Sequence, residues 1–190
     1  MNETVYEWPL RISLLCSSWF RDNLDFSFQI QGPEELTSNL RTLNGSITVQ
    51  GVTGNQMLHT NSGNIMINNI EGQVRANSAG GSVDVTDSAG QFNLRTVAGN
   101  VQTTDVRGEV RARSASGNIN IINLDGTLVC ATASGNIDAI FKDVTYGIHA
   151  ESASGNISLV LPGNRGYQLD IRGSSINRKP AFWIRFNPIF

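Results

Sequence analysis

From Thr42 to Leu159 apolar and polar residues alternate in short runs, and the runs recur with a period of 18. One apolar column reads Ile47, Ile65, Val83, Val101, Ile119, Ile137 and Ile157, and a second, two residues on, reads Val49, Ile67, Val85, Thr103, Ile121, Ala139 and Leu159. The residues between them are mostly polar: Thr48, Met66, Asp84, Gln102, Asn120, Asp138 and Ser158. Half a period later the alternation returns, with Val74, Phe92, Val110, Leu128 and Ile148 followed by Leu58, Ala76, Leu94, Ala112, Cys130 and Ala150. Period-two alternation over β-branched residues predicts short, half-buried strands, two per repeat. No stretch combines helical spacing with capping residues.

The strands are separated by a recurring hexapeptide: SASGNI at Ser114–Ile119 and Ser152–Ile157, TASGNI at Thr132–Ile137, with looser copies beginning at Thr42, Thr60, Ser78 and Thr96. Its glycines, Gly45, Gly63, Gly81, Gly99, Gly117 and Gly135, are 18 apart, and Gly155 follows after 20. A second series, Gly54, Gly72, Gly90, Gly108, Gly126 and Gly147, falls halfway. The two extra residues lie in FKDVTYG (141–147), which reads as a bulge or longer turn. One 18-residue coil buries too little apolar surface to offset its ordering entropy, so it must stack on neighbours. The glycines then stand where every coil turns the same corner and where a Cβ would strike the coil beside it. The expected fold is an all-β, single parallel β-solenoid (β-helix) with two glycine turns per coil. Seven or eight coils would make a rod of roughly 34–38 Å.

Residues 35–163 form the repeat region; LRTLNG (Leu40–Gly45) matches LRTVAG (Leu94–Gly99) and carries the first coil back to Glu35. Eleven of the fourteen aromatic residues fall outside 45–163. Segments 1–34 and 164–190 are therefore expected to cap the open ends of the rod, with a poorly defined segment as the alternative for 1–34. The apolar tail AFWIRFNPIF (181–190) also suits self-association end to end.

Composition narrows the function. An apolar content of 39% with 16% charge suits an ordered domain, and a net charge of −2 with a pI near 5.6 argues against bulk affinity for nucleic acid. Two cysteines, Cys16 and Cys130, make neither a disulfide framework nor a Cys-rich zinc site. No run of about 20 apolar residues suggests a transmembrane segment. Glu3 and Glu7, with Pro9 and Arg11 interrupting, do not read as a secretory leader, so the chain as given reads as soluble, with room for a processed or upstream segment.

Catalysis is not expected. His59 and His149 belong to coils five apart, about 24 Å along the axis, and so do not act as a pair. The hydroxyls of the hexapeptide share one column and read as structural rather than nucleophilic. The column Gly51, Asn69, Asp87, Asp105, Asn123 has only two neighbouring acids and reads as a turn ladder rather than a calcium roll. No metal or cofactor is expected. One asymmetry stands out: Arg41, Arg75, Asn93, Arg95, Arg111 and Arg113 occupy outward positions of the second strand, near His59. Such a stripe suits an anionic polymer gripped by guanidinium forks, or a solubilised sheet face partnered by Glu109 and Glu151. The first-strand face carries no basic residue.

The stretches TLNGSITVQGVTGN, TNSGNIMINNIEGQV, SASGNINIINLDGTL and SASGNISLVLP, together covering about 36–175, resemble the bacterial adhesin-type β-solenoid family, a domain of unknown function found in envelope-associated proteins. The resemblance implies a non-enzymatic surface or cell-envelope role, with an anionic glycan, an envelope polymer or a protein as partner, and supplies no catalytic motif. Two other classes stay open: a bactofilin-like, end-to-end scaffold, and a carbohydrate-active β-helix enzyme. The latter would need a cluster of acids and bases that no coil here gathers.

Overall fold

The computed structural model describes residues 12–15, 28–31, 35–163 and 169–176, with side chains for 35–163. Its strands are β1 (Ile12–Leu15), β2 (Phe28–Gln31), β3 (Ser38–Thr42), β4 (Ile47–Thr60), β5 (Ile65–Ser78), β6 (Val83–Thr96), β7 (Val101–Ser114), β8 (Ile119–Ser134), β9 (Ile137–Val160) and β10 (Leu169–Ile176). Every recorded pairing is parallel, and each of β4 to β8 lies directly on the strand before it. Ile47 stacks on Ile65, Ile65 on Val83, Val83 on Val101, and Val101 on Ile119, so the register shift is the 18-residue period itself. The chain is a parallel β-solenoid of about six turns, beginning at Ile47, Ile65, Val83, Val101, Ile119 and Ile137. No helix occurs among the described residues.

The parallel ladder also reaches into the flanking segments: β1 pairs with β3, β2 with β4, and β10 with β9. The remaining residues of the two expected caps, including the 181–190 tail, lie outside the described residues.

Each 14-residue strand runs through a corner and so carries both faces of its coil. The corner residues Asn69, Asp87, Asp105 and Asn123 have φ between +49° and +58°, with Gly51 at +68°. Asn and Asp tolerate this left-handed conformation better than other side chains, which accounts for the Asn/Asp column.

At the opposite corner the repeated hexapeptide accounts for its own composition. Its first residue, Ser or Thr, turns its hydroxyl inward: Ser114 Oγ donates to the Gly99 carbonyl of the preceding coil (3.1 Å) and accepts from the Gly117 N–H (2.8 Å). Thr60, Ser78 and Thr96 repeat both bonds. A Cβ added to Gly63, Gly81, Gly99, Gly117 or Gly135 would lie closer than 3.0 Å to the carbonyl oxygen of the glycine one coil earlier. The asparagine makes a second ladder: Asn100 Oδ1 accepts from the Asn118 N–H, Asn118 Oδ1 from Asn136, and Asn136 Oδ1 from Asn156. A hydroxyl, a missing side chain and an amide are each required for one bond or one clearance between coils.

The core is the column set read from the alternation, with Ile47, Ile65, Val83, Leu94, Val110, Ile119, Leu128 and Ile137 fully buried. Besides the hexapeptide hydroxyls, polar residues enter it at three further places among the described residues. Gln56 sits beneath Val74, accepting from Ser38 Oγ and donating to the Leu36 carbonyl. Ser88 Oγ accepts from the Ile70 N–H (3.1 Å) and donates to the Thr86 carbonyl (2.8 Å). Thr103 is buried, and its Oγ1 has no hydrogen-bond partner among the described residues. The 20-residue coil departs from the register between Ile121 and Leu128, where residues 141–147 bulge and hold Tyr146 in solvent, 89% exposed.

Candidate functional site

Parallel register converts the outward positions of the second strand into two columns along the rod. One runs Asn39, Met57, Arg75, Asn93, Arg111, Val129, His149; the other runs Arg41, His59, Asn77, Arg95, Arg113, Ala131, Glu151. All five arginines of the stripe are exposed and Asn93 is half-buried. Arg95 and Arg113 are direct cross-strand neighbours, a like-charge pair of the kind that weakens a sheet. No ion pair to either is recorded among the described residues. Arg75 and Arg111 flank Asn93, while Arg41 lies three rungs, about 14 Å, from Arg95.

The expected acidic partners behave differently from one another. Glu109 pairs with Arg111, Oε1 to Nε at 2.6 Å. Glu151 instead faces His149 at 4.0 Å, because those two are i and i+2 on one strand whereas the arginines end two coils earlier. His59 and His149 stand in different columns at opposite ends of the face.

A feature not foreseen from sequence lies beside the stripe. Asn55, Gln73, Gln91 and Glu109 form a third column two residues before the arginine column. Between the two columns runs an open groove of about 300 Å3 lined by Gln73, Arg75, Gln91, Asn93, Glu109 and Arg111. Aligning the repeats in an 18-residue frame exposes these amides at one phase, but only the register shows that they wall a groove.

The other groups are occupied structurally. The hexapeptide hydroxyls are buried in the inter-coil ladder. Cys130 is in the core, where burial pushes its thiol up to about 12, so it stays protonated at neutral pH. Within the corner column Asp105 Oδ1 accepts from Asn123 Nδ2 (3.0 Å), and beside it Asp125 approaches Arg107 at 3.8 Å. Among the described residues no group of three or more His, Cys, Asp or Glu is placed to hold a metal ion, and no helix is long and apolar enough to cross a membrane.

The first-strand face is less uniformly polar than the alternation suggests: towards the C-terminal coils it exposes Ile140 (43%) and Val160 (54%). On the same face Asp84 lies half-buried between Met66 and Gln102. Burial raises its carboxyl above the ordinary 3.8. The folded chain then holds that proton more tightly than the unfolded chain, so stability falls as pH rises from 3.8 through the folded-state value. Asp84→Asn is therefore expected to raise Tm near neutral pH. The gain should vanish near pH 3, where both states are protonated; thermal melts at the two pH values check this, and an equal gain at both would contradict it.

The fold and this face define a parallel β-solenoid that presents a cation- and amide-lined sheet to solvent. The chain belongs to the Toastrack DUF4097 family, whose model matches residues 34–177. No curated protein and no solved structure matches it.

Proposed function

We propose that the protein is a non-enzymatic, adhesin-like binding module of the cell surface or envelope, which holds an anionic polymer along its second-strand face. The observation that carries this reading is the in-register pair Arg95 and Arg113, two exposed guanidinium groups on adjacent rungs with no ion pair to either among the described residues. Stacked like charges cost stability in the free protein, and an anion bridging both removes that cost while accepting their forked hydrogen bonds. Support for a non-enzymatic role comes from the groups a reaction would use: the ladder hydroxyls are committed, the Cys130 thiol is buried, and the two histidines stand far apart. A rigid rod with side chains repeated along its axis suits recognition of a linear, repeating ligand better than turnover of a small one.

The replacement Arg95→Gln with Arg113→Gln tests the reading. Affinity for a polyanion at low salt should fall about tenfold, with an unchanged far-ultraviolet spectrum, because two exposed charge-assisted contacts are lost. Wild-type binding should weaken steeply with added salt. Unchanged affinity in the double variant would remove the stripe as the binding element.

A further inference from the structure

We propose that the groove beside the stripe takes an acidic polysaccharide laid along the rod axis, a refinement that rests on the arginine face being anion-binding. Three successive strands build it. Gln73 and Arg75, Gln91 and Asn93, and Glu109 and Arg111 stand as facing pairs, each pair two residues apart on its strand and in register with the next. The walls are thus about 7 Å apart and the rungs about 4.8 Å apart.

The chemistry of the walls selects among polyanions. Gln73, Gln91 and Asn93 each offer both a donor and an acceptor, and Glu109 offers only acceptors. A polyphosphate presents acceptors alone and would leave the amide oxygens and the Glu109 carboxylate without donors. A chain carrying both hydroxyls and carboxylates satisfies every wall residue. Its hydroxyls donate to Glu109 and the amide oxygens, and its carboxylates accept from Arg75 and Arg111. The Glu109 bond uses Arg111 Nε and leaves the two terminal nitrogens to fork onto a carboxylate.

Peptides fit less well. The groove floor is the strand backbone at Val74 and Phe92, whose side chains are buried and whose strands are paired on both sides, so strand addition has no free edge there. An extended peptide repeats on one face every ~6.6 Å, out of step with the rungs, whereas a pyranose chain linked through opposite ring corners advances by about one rung per sugar.

The test is calorimetric titration of the full chain with polygalacturonate, inorganic polyphosphate, polyglutamate and neutral dextran. The proteins compared are wild type, the Gln73→Ala, Gln91→Ala variant and the Arg95→Gln, Arg113→Gln variant, each checked for an unchanged melt. Polygalacturonate should bind most tightly of the four. The amide variant should lose about tenfold in affinity for it while keeping its affinity for polyphosphate. If the amide variant binds polygalacturonate like wild type, or if polyphosphate or polyglutamate binds as tightly, the groove assignment is overturned while the anion-binding face survives. If no polyanion binds, the broader reading fails and takes the groove with it.

Discussion

Gly117→Ala should cost more than about 4 kcal/mol and leave much of the chain unfolded, although it adds one methyl group. The added Cβ would sit closer than 3.0 Å to the Gly99 carbonyl oxygen and at 3.0 Å from Ser114 Oγ. Backbone oxygen cannot turn aside as a long side chain does, and Gly99 is itself held by the coil on its other side. Relief therefore requires the coils to separate, which breaks ladder hydrogen bonds and opens the core. Domains of this size hold only about 5–15 kcal/mol in total. Gly80→Ala provides the contrast: its Cβ would meet nothing nearer than 3.5 Å, so the change should be close to neutral. Urea denaturation of both variants decides the matter. Equal stability would show that the corner glycines are not there for clearance.

The second large effect is expected from Ser114→Ala, at about 2–4 kcal/mol by the same measurement. The hydroxyl bridges two coils, and its loss leaves the Gly99 carbonyl and the Gly117 N–H without that partner at a buried corner. Each stranded backbone group costs about 1–3 kcal/mol, more than the net worth of the bond that satisfied it. Ser114→Thr should be nearly silent, since Thr60, Thr96 and Thr132 occupy the same column and donate the same bond. If alanine and threonine behave alike, the ladder contributes little and the corner is held by packing alone.

These two substitutions also mark how much of the molecule is readable in one dimension. The 18-residue period, the inward columns headed by Ile47 and Val74, and the corner glycines follow from the alternation because a stack repeats its local rules at every turn. The bulge at 141–147 is readable for the same reason, as a break in a count. The conserved shape of SASGNI within the chain announces a corner without saying that its serine and asparagine each bond a neighbouring coil.

The candidate site is less legible. Arginine at 75, 95, 111 and 113 is visible as an outward stripe, yet its pairing is not: Glu109 neutralises Arg111 while Glu151 is drawn to His149, a distinction made by which coil each occupies. The half-buried Asp84, the exposed Ile140 and Val160, the buried hydroxyl of Thr103 and the polar insertion at Gln56 are likewise set by neighbours 18 or 20 residues away. Periodicity specifies which side of a strand a residue takes, and that alone dictates a stacked parallel sheet with a dry interior. Which polar side chains meet across the rungs, and hence that amides and arginines enclose one groove, depends on register and side-chain reach, properties that exist only once the coils lie on one another.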